Sequence, residues 1–267
     1  QPDWIWIKNR TDGHWHNLND SVRGAGAGQV LRSNTNSSEG GTSGHVSSFD
    51  SDGFTVAAGT SNAEEVNTSS DNYVAWNWKA GGSAPAITYV VKVVSDSGNK
   101  YRFDDFGTSA VTLDLQEGGT YTFDQSDSSN SGHPLRFYTA SDKSGGEYTT
   151  GVTTTGTAGS SGAKTVITVA ASAPTLYYQC SNHAGMGGQA NTNSTFGSSN
   201  FGGSIQSTVS ANTTAGFSIV SYSGTGSNSS TMGHGSGTTP AMIIIKRLNA
   251  SAAVSYTHLT LPTSSVV

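Results

Sequence analysis

Apolar residues recur along this chain at every second position, in short runs. Residues 2–8, PDWIWIK, set Trp4 and Trp6 against Ile5 and Ile7, the period of a strand with one buried face. VSSFDSDGFTV (46–56) and NYVAWNWKAG (72–81) give further strand patterns separated by turn residues. A regular series then follows: ITYVVKVV (87–94), KYRFDDF (100–106), AVTLDL (110–115), TYTFD (120–124), HPLRFYT (133–139), AKTVITVA (163–170) and TLYYQC (175–180). GFSIVSYSG (216–224) and AMIIIK (241–246) resume the pattern late in the chain. Gly, Ser, Asp and Asn occupy the intervals, and no stretch holds a convincing helical period. The prediction is an all-β protein of antiparallel β-sandwiches, the central one a compact sandwich or Greek-key barrel of seven or eight strands.

The spacing of these runs suggests five segments. Residues 1–82 read as a partial β-sandwich module, ended by the linker-like GGSAPA at 81–86. Residues 87–190 read as the central domain, and 191–213 as a polar Asn/Ser/Thr/Gly connector with isolated Phe196, Phe201 and Ile205. Residues 214–249 read as the beginning of a second β-sandwich module. PDWIWIK (2–8) and PAMIIIK (240–246) share Pro2/Pro240, Ile5/Ile243, Ile7/Ile245 and Lys8/Lys246 at one offset. That repeat suggests a chain that starts inside one copy of a module and stops inside the next. Opening on Gln1 within a strand pattern agrees with a fragment. The tail, 250–267, fits nothing before it; VSYTHLTLPTSSVV resembles translated adapter read-through and is set aside.

Composition narrows the function. Hydrophobic residues make up 33% and charged residues 12%, with 34 glycines and a formal charge of −5. A basic nucleic-acid footprint is therefore not expected. No apolar run approaches the roughly 18 residues of a membrane span, and no signal peptide is visible. One cysteine, Cys180, rules out an internal disulfide framework. No Ser/His/Asp or paired-carboxylate spacing supports hydrolysis, so neither an enzyme, a catalytic residue nor an organic cofactor is expected.

Chemistry concentrates in PTLYYQCSNHAGMGG (174–188), where His183 and Met186 follow Cys180 at three-residue steps. His133 stands 47 residues upstream in GHPLRF. A soft thiolate, two imidazoles and a thioether form the donor set of a blue-copper site, with Met186 as the weak axial ligand. The alternative for these residues is structural: a lone Cys as a small buried hydrophobe, and His133 capping a strand turn. Other candidates carry less. Asp50-Ser51-Asp52-Gly53 reads as a turn rather than a calcium loop, His14 and His16 as surface histidines, Asp104-Asp105 as solvated, and His234 as part of a turn. Trp4, Trp6, Trp15, Trp76 and Trp78 read first as core or rim packing, and otherwise as a sugar-stacking surface.

YQCSNH followed by Met186 resembles the C-terminal ligand loop of the cupredoxins, the plastocyanin-like blue-copper proteins, and the resemblance covers roughly residues 87–188. It implies a copper ion on His133, Cys180, His183 and Met186. Two departures stand out: only Ala184 and Gly185 separate His183 from Met186, and Pro134 removes a backbone amide donor beside His133. The flanking stretches DWIWIKNR, DSVRG, SFDSDGFTV, YVAWNWKAGG, GFSIVSYSGTGS and MGHGSGTTPAMIIIK are similar to a β-sandwich module of marine bacteriophage tail and fibre-like proteins. That resemblance implies a structural or host-surface-binding tail component, located on the virion, without membrane or nucleic-acid partners. Its expected partners are other tail proteins, further copies of itself, and a host-surface glycan or protein. The alternative is a soluble blue-copper electron carrier, periplasmic or secreted.

Overall fold

Beyond two single-turn 3₁₀ segments, regular structure among the described residues of the computed structural model is entirely β. The structure describes residues 1–81, 84–192 and 197–258. The chain divides into two compact units, one formed by 1–82, 211–219 and 236–267, the other by 83–210 and 220–235.

The first unit starts with β1 (Trp4–Asn9), β2 (Asn17–Asp20), β3 (His45–Asp50), β4 (Gly53–Ala57) and β5 (Tyr73–Trp78). The first two and β5 pair antiparallel in the order β2-β1-β5, while β3 and β4 form a hairpin. Alternation along β1 buries Ile5 and Ile7 against Val46 and Val66. Trp4 and Trp6 fall on the other face, opposite Trp78 and Trp76 of β5. Their rings pack on one another there, with centroids 4.5 Å apart for Trp4–Trp78 and 5.7 Å for Trp6–Trp76. The tryptophans thus cover a sheet face and leave the aliphatic core to isoleucine and valine. Asp50 closes the hairpin by accepting from the Ser48 and Thr55 hydroxyls, which makes this stretch a turn, as expected.

Strand β2 reads NLND yet is wholly buried. Charged partners buried beside it satisfy several of its polar groups, while the side-chain oxygens of Asn17 and Asn19 are buried without a hydrogen bond. Arg32 donates to Glu65 at 2.7 Å, and Glu65 also accepts from Asn17 at 3.2 Å. Asp20 accepts from Arg23 at 2.6 Å. Arg32 and Glu65 are both at most 5% exposed.

The second unit contains β6 (Ala86–Ser95), β7 (Asn99–Phe103), β8 (Leu113–Asp114), β9 (Thr120–Asp124), β10 (Leu135–Tyr138), β11 (Val152–Thr155), β12 (Lys164–Thr168), β13 (Leu176–Cys180), β14 (Gln189–Asn191) and β15 (Ser198–Asn200). Two sheets sandwich one core: β11-β12-β9-β6-β7 and β10-β13-β14-β8. Pairing is antiparallel except for β6 with β9 and β8 with β14. Alternation is explicit in TYTFD, where Tyr121 and Phe123 point inward. Aromatic rings from both sheets meet edge to face, as in Phe103–Tyr178 (5.1 Å) and Phe123–Phe137 (5.4 Å), a favoured geometry for ring quadrupoles. Four fully buried tyrosine hydroxyls reach groups outside their own strands: Tyr89 with Ser199 O and Tyr121 with Ser198 Oγ in β15, Tyr101 with His133 O, and Tyr178 with Val111 O.

β16 (Ser207–Asn212) and β17 (Phe217–Tyr222) each have residues in both units. The stretch expected to be a polar connector therefore holds the last residue of β14 and the whole of β15 and β16, and it buries Phe201 and Ile205; Phe196 lies outside the described residues. In the first unit Phe217 stacks on Trp4 at 5.8 Å. Last come β18 (Met242–Ile245) and β19 (Ser255–His258), an antiparallel ribbon. Ile243 and Ile245, the repeat partners of Ile5 and Ile7, are 42% and 46% exposed, against 0% and 2%. The repeat in sequence is not a repeat in burial, because β1 is flanked by strands on both sides and β18 on one. Of the tail, residues 255–258 pair with β18, and 259–267 lie outside the described residues.

The buried pair in the first unit makes a measurable prediction. Glu65→Ala leaves the Arg32 guanidinium buried without its carboxylate and is expected to cost about 3–5 kcal/mol in urea denaturation. The paired replacement Arg32→Met with Glu65→Leu is expected to cost much less, because no charge is then stranded.

Candidate metal centre

Antiparallel pairing of β10 with β13 sets Leu135 opposite Cys180. The segment entering β10 and the loop leaving β13 therefore emerge at the same end of the sheet. His133 lies two residues before β10, Cys180 is the last residue of β13, and His183 follows in the loop. Their donor atoms form a small triangle. Nδ1 of His133 is 3.1 Å from Nδ1 of His183, and Sγ of Cys180 is 3.4 Å from His183 Nδ1 and 3.8 Å from His133 Nδ1. Donors sharing one ion at bond lengths of about 2.0–2.3 Å lie roughly 3.3–3.8 Å apart. The three side chains thus fit a single transition-metal ion by spacing and by donor type, and they are grouped as potential ligands of one ion. Cys180 is fully buried, whereas His183 is exposed.

Backbone and second-layer contacts hold both ligand segments. The His133 carbonyl accepts from the Tyr101 hydroxyl at 2.8 Å and from Gln125 Nε2 at 2.9 Å. Gln125 Oε1 in turn accepts from the Leu135 amide. Asn99 Nδ2 stands 3.5 Å from the outer ring nitrogen of His133. Two bonds tie one ligand segment to the other: Ser181 N to Pro134 O at 3.0 Å, and Asn182 Nδ2 to Gly132 O at 2.9 Å. The loop then folds back on β13. Gln179 Oε1 accepts from the amides of Met186 and Gly187, both at 3.1 Å. A Cβ on Gly187 would stand 1.6 Å from Tyr178 O, so glycine is required there for the chain to return this close.

Met186 is 2% exposed and belongs to the same core cluster as Cys180. Its backbone carbonyl accepts from Tyr101 N at 2.8 Å. The close spacing between His183 and Met186 is thus accommodated by a loop turned tightly inward. Among the described residues no backbone amide donates to Cys180 Sγ; both imidazoles lie within hydrogen-bonding reach of it.

Burial pushes the proton affinity of His133 below the ordinary histidine value, and repulsion from His183 adds to this. Tyr101 is pushed far up, first by burial and then by the Cys180 thiol beside it. Tyr101 therefore stays a neutral hydrogen-bond donor at any working pH.

The remaining candidates separate. His16 accepts from Trp6 Nε1 at 3.2 Å and does not converge with His14. His14 instead groups with Asp12 and Asp71, whose donor atoms lie within 4.8 Å of one another. Sequence reasoning missed this group because Asp71 lies far along the chain from Asp12. Asp71 Oδ2 accepts from Asn9 at 2.7 Å, and His14 faces Glu64 at 3.6 Å, so protein groups already engage these side chains. Asp104 caps the Val90 amide and Asp105 pairs with Lys92 and Arg102, so both aspartates have partners beyond solvent.

Fold and site together define a β-sandwich protein with a donor group of one buried cysteine sulfur and two imidazoles at one end of a sheet. The chain belongs to the family described as a domain of unknown function (DUF7483), whose model matches residues 1–111 and 188–267. The stretch between these matches, 112–187, contains His133, Cys180, His183 and Met186. No curated protein and no solved structure matches the chain. Among the described residues no helix is long and apolar enough to cross a membrane.

The lowered proton affinity of His133 sets a pH response for the metal-free protein. Folding favours its neutral form, so its stabilising contribution is full above about pH 6.5 and is lost as pH falls through the lowered value. Thermal unfolding is expected to move to lower temperature on acidification, and less steeply in His133→Gln. Equal slopes in both proteins would count against this assignment.

Proposed function

We propose that the chain is a copper-binding structural component of a phage tail, holding one ion on His133, Cys180 and His183 with Met186 as the axial ligand. The observation that carries the metal reading is the triangle of 3.1, 3.4 and 3.8 Å formed by one sulfur and two nitrogens. A soft thiolate with two imidazoles favours copper among the common ions, with zinc as its nearest competitor. Bound copper would supply a one-electron couple and a cross-link between the segment entering β10 and the loop leaving β13. The chain's own part is to keep the thiolate dry, orient both rings through Nδ1, and leave the His183 edge in solvent. Both imidazoles must be neutral at Nδ1 to ligate, and Cys180 must give up its proton, so affinity falls as pH falls.

The tail assignment rests on the resemblance of the flanking stretches to phage tail modules. It is supported by the exposed Trp76 and Trp15, 45% and 48% accessible, which offer ring faces to a host-surface glycan. Other tail proteins and further copies of the chain are the remaining partners in this reading.

Titration of metal-free protein with Cu(II) is expected to end at one equivalent with an intense visible thiolate charge-transfer band, absent in Cys180→Ser. Folded wild-type protein that gives no such band, or binds zinc alone, would refute the copper assignment. Labelled antibody is expected to decorate virion tails. Clean tails beside labelled periplasm, with a reversible copper couple exchanged with a partner, would instead support the soluble electron carrier.

A further inference from the structure

The loop between β10 and β11 makes a tight turn whose one conspicuous product is the placement of Lys143. Thr139 Oγ1 donates to Gly145 O at 2.7 Å, Lys143 N donates to Ala140 O at 3.0 Å, and Asp142 accepts from Ser144 N at 3.0 Å. A Cβ at Gly145 would stand 2.2 Å from Thr139 Oγ1. Lys143 itself has φ +67°, the left-handed region that a lysine enters only when its surroundings compel it. From this turn the side chain reaches the end of β13. Its Nζ lies 3.2 Å from Cys180 O, 3.2 Å from Ser181 O and 3.5 Å from His183 O. An ammonium has three donor hydrogens, and three carbonyls of the ligand segment surround this one. Among the described residues no carboxylate forms an ion pair with Lys143, so its charge acts on the loop.

The carbonyls of Cys180 and His183 belong to two of the three metal-donor residues. Cys180 Sγ, meanwhile, lacks the backbone amide donors that would temper thiolate charge. We propose, resting on the copper reading above, that Lys143 is the positioning residue of this centre. Its ammonium gathers the carbonyls of the ligand segment onto one point, which fixes the loop before any metal arrives. Its positive charge also sits at the carbonyl of Cys180, whose sulfur no backbone amide reaches among the described residues. Adding one electron to Cu(II) on a single thiolate lowers the charge of the site by one with no proton moved. A nearby fixed cation therefore favours the reduced ion. Lys100 holds the same loop from another point, through Gly185 O, away from the carbonyls of the donor residues, and serves as a comparison.

The test uses the whole chain with Lys143→Met, Lys143→Gln and Lys143→Arg, beside Lys100→Met. Gln keeps amide donors without charge and serves if Met fails to fold. In metal-free protein, amide hydrogen exchange at residues 181–187 is expected to quicken by about tenfold in Lys143→Met, with Lys143→Arg close to wild type. In the copper-loaded proteins, Lys143→Met and Lys143→Gln are expected to lose about tenfold in Cu(I) affinity relative to Cu(II), about 59 mV in midpoint potential for one electron. Lys143→Arg is expected to restore this, and Lys100→Met, which releases Gly185 O alone, to shift it less. Unchanged exchange in both uncharged variants would overturn the positioning role. Equal potentials in all variants, or a shift in Lys100→Met as large as in Lys143→Met, would overturn the charge effect. A wild-type protein that takes up no copper would remove the copper reading and the potential shift with it, while the metal-free exchange measurement would still decide whether Lys143 fixes the loop.

Discussion

A phenol buried in an apolar core must find an acceptor or lose on the order of 1–3 kcal/mol, and this requirement organises the second unit. Tyr89, Tyr101, Tyr121 and Tyr178 fill the space between two sheets with their rings, yet each hydroxyl ends on a group outside the strand that carries it. Core packing and loop placement are therefore one event. Tyr101 illustrates the link most directly. Its ring belongs to the core, its hydroxyl holds the carbonyl of His133, and its backbone amide holds the carbonyl of Met186. A single residue of β7 thereby holds both the His133 segment and the far end of the loop that follows Cys180.

The site follows from that frame by short steps. Strand register brings the His133 segment beside Cys180; Gln179 and Gly187 turn the following loop inward. Bonds from Ser181 and Asn182 to Pro134 and Gly132 join the two segments that supply the donors. What remains for a metal is to bridge atoms already gathered, which is how rigid strands serve a ligand set. The cation near the backbone of Cys180 and the proline beside His133 point to a centre whose electrostatics come from the peptide carbonyl side, with none from amides at the sulfur.

Much of the fold was legible because side-chain alternation and burial coincide. TYTFD at 120–124 and LYYQC at 176–180 are strands where the pattern places them. Strands whose pairing is a matter of backbone alone were invisible: NLND of β2, QAN of β14 and SSN of β15 carry no apolar period, and each becomes a strand through its neighbours. Cys180 and His183 announced themselves by spacing, and His133 by opening a strand pattern. Lys143 gave no such signal, being one lysine in a Ser/Gly loop whose importance lies in the backbone it meets. Ile243 and Ile245 match Ile5 and Ile7 in sequence but not in burial, since likeness in sequence says nothing about how many strands flank them.

The pairing of Leu135 with Cys180 has a consequence for how this chain can change over time. Side chains alternate across a sheet, so a slip of one residue in β13 would turn the thiol away from the histidines and bring its neighbour Gln179 into its place. Insertions or deletions within that strand would thus erase the donor group while the sandwich itself could still close. The three-donor arrangement is in this sense more fragile than the architecture around it, and length variation is better tolerated in the turns between strands than inside β10 or β13.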